Sequence, residues 1–99
     1  MMARSPEFDF VADFLSSRFG KSVWLTRHAR RSMEKRQIDL NTLQLIVESG
    51  EIKYKTASDV WIYSNVAGRT DNLICAAAVV AEAVVIKTVM INWEIEDES

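Results

Sequence analysis

One cysteine, one histidine, one proline and three glycines leave this chain of 99 residues with few of the side chains that mark metal, redox or disulfide chemistry. Cys75 has no second cysteine to bridge to, and no CxxC or Cys/His cluster supplies a zinc-ligand pattern. A lone His28 excludes a histidine-rich metal site and any two-histidine acid–base pair. No apolar run reaches the roughly 18 residues that a membrane helix needs. The longest, over residues 73–80, reads as a buried strand. No charged stretch leads into an apolar one as in a secretory signal. A P-loop, a dinucleotide fingerprint, a Ser-His-Asp set and a carboxylate metal site are all missing. The expectation is a small cytoplasmic domain that carries no cofactor.

What is present is an ordinary globular balance, 48% apolar and 26% charged, in a length that suits a single domain over residues 1–99. The net charge of −2 hides an uneven distribution. Residues 18–36 hold Arg18, Lys21, Arg27, Arg30, Arg31, Lys35 and Arg36 against a single acid, Glu34, so the rest of the chain is strongly acidic. The tail over residues 94–99 concentrates Glu94, Glu96, Asp97 and Glu98. A basic block inside an acidic chain fits a local phosphate-binding surface. It equally fits a solvated helix face whose cations pair with the tail.

Apolar spacing divides the chain into elements. Ser5, Pro6 and Glu7 make a helix start, and Phe10, Val11, Phe14, Leu15 and Phe19 follow at helical spacing, which predicts a helix over 6–19 stopped by Gly20. A short strand over 22–25 precedes a second helix over 27–36 capped by Thr26. A third helix, capped by Asp39 or Asn41, carries Leu40, Leu43, Ile46 and Val47 on its apolar face and ends at Gly50. Strands follow over 52–56, 60–65, 73–80 and 83–91, with a loop at 67–72 and a tight hairpin at Ala81-Glu82. This order predicts an α+β fold, N-terminal helices packed on a mainly antiparallel sheet of four to five strands. The last two strands are apolar on both faces and belong at the centre, with another layer or a partner opposite the helices.

The second helix carries the chemistry. At about 100° per residue, Ala29 and Met33 define its buried side. His28, Arg31, Ser32 and Lys35 share a neighbouring stripe, Arg27 and Arg30 point further out, and Arg36 lies at the core edge. That stripe suits metal-independent RNA cleavage, in which a 2′-hydroxyl attacks its own phosphodiester. Such chemistry needs a proton acceptor, cations around the phosphate and a donor to the leaving oxygen. Histidine is the side chain whose charge ordinarily changes near neutral pH. A histidine that caps or packs at a helix start fits the same position. Lys87, Thr88 and the loop residue Arg69 are further candidates for phosphate contact, and equally ordinary strand and loop residues. Trp24, Trp61, Tyr63 and Trp93 are of a type that stacks on bases or fills cores.

Leu25-Thr26-Arg27-His28-Ala29, then Ser32-Met33, Arg36 and Ile38, then Glu48-Ser49-Gly50-Glu51-Ile52, and finally Val84-Val85-Ile86-Lys87-Thr88-Val89 form a pattern. It resembles the bacterial domain-of-unknown-function family 4258, grouped with RelE- and ParE-like toxins in the barnase–EndoU–colicin–RelE superfamily. The similarity spans residues 22–92. It departs from the family pattern at Ser32, where an arginine is usual, and at Met90, where an aromatic often stands. The resemblance implies a RelE-like core over 22–92 and a ribonuclease or translation-targeting toxin held by an antitoxin or immunity protein. Carried over by position, His28, Arg36 and Thr88 are catalytic; the ribonuclease reading of the helix stripe adds Arg31 to them and has Arg27, Arg30, Lys35, Lys87 and Arg69 hold RNA. The competing expectations are a binding module with the same cations but no turnover, and an interaction domain that forms a homodimer through its Phe-rich N-terminal helix.

Overall fold

The computed structural model describes residues 12–95. The chain runs β1 (Phe14–Ser16), β2 (Lys21–Leu25), α1 (Arg27–Lys35), α2 (Leu40–Ser49), β3 (Glu51–Tyr54), β4 (Asp59–Ser64), β5 (Ile74–Val80) and β6 (Val84–Met90). Local chemistry explains the helix boundaries. Thr26 is extended (φ −72°, ψ 165°), and its hydroxyl accepts the Ala29 N–H, a side-chain N-cap. Gln37 takes a left-handed φ of 56° and the Ile38 N–H returns to the Met33 carbonyl, which closes α1 and turns the chain into α2. Asp39, not Asn41, caps α2, its carboxylate accepting the Thr42 N–H at 2.8 Å. That bond is the first cause of the Asp39 carboxyl's lowered pKa.

All six strands form one sheet in the order β1-β2-β6-β5-β4-β3. Every pair is antiparallel except β2 and β6, which run parallel with Val23 opposite Val84 and Leu25 opposite Ile86. The apolar runs of β5 and β6 are central, as their composition requires. Both helices pack on one face. Ala29 and Met33 of α1 and Leu43, Ile46 and Val47 of α2 join Ile62, Ile74 and Ile86 in a single buried cluster. Each fully buried isoleucine in it contributes about 1.5–3 kcal/mol of transfer free energy.

The N-terminal prediction fails. Residues 14–16 are a strand, and 17–20 a turn, where a helix over 6–19 was expected; residues 6–11 lie outside the described chain. The apolar spacing that suits a helix also suits a short edge strand. Phe14 packs inward, Leu15 is 74% exposed and Ser16 is buried, a period of two. Pairing with β2 overrides the helical pattern. Gly20 turns the chain at φ 64°, its N–H bonded to the Ser16 carbonyl. The dimer surface expected on that helix therefore has no helix to occupy within residues 12–19. The additional strand also raises the sheet from the expected four to five strands to six, and β2 joins it in parallel.

Candidate functional site

Strand β2 leaves the sheet at Leu25, so β6 loses its neighbour on that side beyond Ile86 and helix α1 takes its place. The Thr26 N–H donates to the Ile86 carbonyl, and the Thr26 hydroxyl donates to the Lys87 carbonyl, both at 3.1 Å. One turn and a half further on, the Ser32 hydroxyl donates to the Ala29 carbonyl at 2.8 Å and accepts the Val89 N–H at 3.1 Å. Between these fastenings β6 is irregular. Ala77 lies opposite Thr88 and Ala78 opposite Ile86, which leaves Lys87 as the extra residue of a β-bulge. Ile86 and Val89 are both fully buried, with the exposed Lys87 and half-buried Thr88 between them. Strict alternation would have placed Thr88 on the face of Ile86; the bulge removes it.

The space between α1 and this part of β6 is a groove of about 370 Å³ lined by His28, Arg31, Ser32, Lys35, Arg36 and Thr88. Two of the four residues expected to be catalytic, His28 and Arg31, come from α1 and a third, Arg36, is its C-cap, while Thr88 reaches the same groove from the last strand, 60 positions after His28 in the chain. Among the described residues no carboxylate pairs with Arg31, Lys35 or Arg36. The Arg36 Nε is buried and has no hydrogen-bond partner among the described residues. Residues 96–99 of the acidic tail lie outside the described chain. The groove thus holds three cations with no carboxylate partner among the described residues, an exposed imidazole and the hydroxyls of Ser32 and Thr88. An anionic oxygen placed there meets guanidinium and ammonium donors together, the arrangement that phosphate recognition requires.

The other expected RNA contacts do not line this groove. Arg27 is exposed on α1. Arg30 pairs with Asp13, whose second oxygen accepts the Leu25 N–H at 2.8 Å. Lys87 pairs with Asp59 at 3.3 Å. Thr56 first, and Lys87 second, lower the Asp59 carboxyl. Arg69 lies in the loop after β4, held by Asp71 at 2.8 Å, and donates to the Arg36 and Gln37 carbonyls at 2.8 and 3.0 Å. It satisfies the C-terminal end of α1 with a cation, which also suits the helix dipole. The hydrogen bond with Asp71 raises the Arg69 guanidinium and lowers the Asp71 carboxyl.

Two roles were not readable in the sequence. Ser32, one of the two departures from the pattern of the resembled family, is the fastening between α1 and the bulge. Asp13 joins β1, β2 and α1 from a segment that reads as a helix. A hydroxyl at a helix position facing the core is a signal for the first; nothing local signals the second. Cys75 is inert core, with burial pushing its thiol up to about 12. Among the described residues no group of three or more His, Cys, Asp or Glu gathers to hold a metal, and no helix is long and apolar enough to cross a membrane.

Comparison with curated proteins and with solved structures returns no match. The family model described as Domain of unknown function (DUF4258) matches residues 25–91, from the end of β2 through β6, and so contains every residue that lines the groove. The chain belongs to the DUF4258 family.

Proposed function

We propose that the protein is a metal-independent endoribonuclease of the RelE-like toxin type, with the α1–β6 groove as its active site. One observation carries the reading: His28, Arg31, Lys35, Arg36 and Thr88 converge on one groove whose cations have no carboxylate partner among the described residues. Its substrate is RNA, tRNA or mRNA, and in the cell an antitoxin or immunity protein would cover the groove.

In the proposed reaction the scissile phosphate lies against Arg31 and Arg36, whose guanidinium groups stabilise the negative charge that builds on its oxygens. His28 takes the proton of the ribose 2′-hydroxyl as that oxygen attacks phosphorus. The bond from phosphorus to the 5′ oxygen breaks, and the leaving oxygen takes a proton from the Lys35 ammonium. The products are a 2′,3′-cyclic phosphate and a free 5′-hydroxyl. Thr88 donates a hydrogen bond to a phosphate oxygen from the opposite wall.

Cleavage of tRNA and total RNA in excess chelator, by wild type beside His28→Ala, tests this reading. Discrete fragments ending in a cyclic phosphate, absent with the variant, are the expected result. An inactive wild type that still binds RNA with a steep salt dependence would replace it with a non-catalytic nucleic-acid-binding module.

A further inference from the structure

The sheet face opposite the helices is aromatic. Trp61 alternates with the buried Val60 and Ile62, and Tyr63 follows it two positions on, so both side chains leave β4 away from the helices. The Trp93 ring joins them, 5.7 Å from Trp61 and 4.8 Å from Tyr63 between centroids. The Lys55 ammonium lies 5.9 Å from the centre of the Trp61 ring. Among the described residues neither helix covers this cluster; α1 and α2 both pack on the other face.

The strand register connects the cluster to the groove. Thr88 of the groove stands opposite Ala77, Ala77 opposite Trp61, and Trp61 opposite Lys53. Two strand spacings of about 4.8 Å put Trp61 about 10 Å from Thr88. The single residue between them is an alanine, whose methyl group leaves the path low. A cationic groove thus lies, across one small side chain, beside a cluster of rings tilted 36° and 52° to one another, with a lysine over one of them. That is the pairing single-stranded nucleic acid needs, charge for the backbone and aromatic faces for the bases.

We infer that the Trp61–Tyr63–Trp93 face is a base-stacking platform, and that single-stranded RNA entering the α1–β6 groove runs past Thr88 and Ala77 to lay its neighbouring bases on these rings. The inference rests on the reading of the groove as an RNA site and adds to it the substrate class, unpaired RNA with at least one unstacked base beside the bound phosphate. Duplex RNA cannot offer its base faces to the platform.

The test uses the full chain and a short labelled RNA whose 2′-hydroxyls are methylated, so that binding is read without cleavage. A second strand of equal length has abasic sites in place of the bases. Wild type should bind the base-bearing strand about tenfold more tightly than the abasic one. Trp93→Leu and Trp61→Phe test the rings separately. Trp93→Leu should lower that ratio towards one without changing the salt slope, because stacking releases no counterions. Arg31→Ala should lower the slope and keep the ratio. Quenching of wild-type tryptophan fluorescence by the base-bearing strand alone is an independent expected result that needs no variant.

Equal affinity of wild type for both strands, with the salt slope intact, overturns the platform and leaves the groove standing. Failure of wild type to bind either strand overturns both. Self-association in sedimentation that Trp93→Leu abolishes would assign the face to a second copy of the chain instead.

Discussion

The Ser32 hydroxyl accepts the backbone N–H of Val89, 57 positions later in the chain, at 3.1 Å. That bond occupies the side of β6 that β2 has left, and Ser32 is only 8% exposed. Ser32→Ala leaves a buried N–H without a partner and should cost about 1–3 kcal/mol in urea unfolding. Ser32→Thr keeps the hydroxyl and should recover part of the loss. If the alanine variant unfolds at the wild-type midpoint, the fastening contributes nothing.

His28 is exposed and Arg36 half-buried, and neither side chain is hydrogen-bonded to the rest of the described chain. His28→Ala should therefore abolish cleavage while changing stability by less than about 0.5 kcal/mol. Arg36→Met, which keeps the buried stem, should weaken RNA binding in a salt-dependent manner and retain the fold. A thermal melt beside each activity assay separates the two effects. An equal loss of stability and activity at His28 would make it a structural residue.

Gly50 ends α2 and Gly20 ends the turn before β2, and each position favours glycine for a different reason. A Cβ on Gly50 would stand 2.6 Å from the Ile46 carbonyl oxygen and 2.7 Å from that of Tyr63, both backbone atoms. At Gly20 the space is empty and only the φ of 64° opposes a side chain. Gly20→Ala should cost about 1–2 kcal/mol, and Gly20→Asn less. Gly50→Ala should cost more than either, because α2 and β4 must separate. Denaturant midpoints of the three variants rank them directly.

Glu48 accepts the N–H groups of Ser17 at 2.9 Å and Arg18 at 3.1 Å, which ties the β1–β2 turn to α2. Burial raises its carboxyl, but hydrogen bonding, the Arg18 and Ser17 N–H groups included, outweighs this and leaves it lowered. A carboxyl lowered in the folded chain stabilises it fully above the ordinary carboxyl range and stops doing so as pH falls through the folded value. Asp59 and Asp71 act in the same direction. Stability should hold above about pH 5 and decline towards pH 3. Glu48→Gln should lower it at neutral pH and flatten the decline; an unchanged acid profile would remove Glu48 from this account.

Cys75 is fully buried and its thiol is pushed up to about 12. Native protein should leave a thiol reagent unconsumed at pH 8, and one equivalent should react on unfolding. Rapid reaction without denaturant would show that β5 opens locally.

The order α1, α2 and four strands was legible because each helix carries its own cap, Thr26 and Asp39, while β3 and β4 alternate and β5 and β6 are apolar runs. His28, Arg31, Lys35 and Arg36 were legible as a group because they share one helix, where spacing determines direction. Strand β1 was not, since three residues hold too little pattern to separate a period of two from a helical one. The parallel register of β2 and β6 was hidden for a different reason: it joins residues 61 positions apart, and nothing in either segment names the other. Arg30 and Arg69 looked like ligand contacts because arginine in a basic block or a loop says nothing of Asp13 or of the carbonyls of Arg36 and Gln37.

That parallel register also times the appearance of the groove. During synthesis the ribosome releases α1 with all its cations while β6 is still unmade, and a helix of nine residues is marginal alone. The wall that bears Thr88 arrives last, and it closes the groove only after β6 has found β2 across almost the whole intervening chain. A nascent or truncated polypeptide ending before Val84 therefore carries His28, Arg31, Lys35 and Arg36 as an inert basic segment. The groove therefore exists only once β6 has been made and has paired with β2.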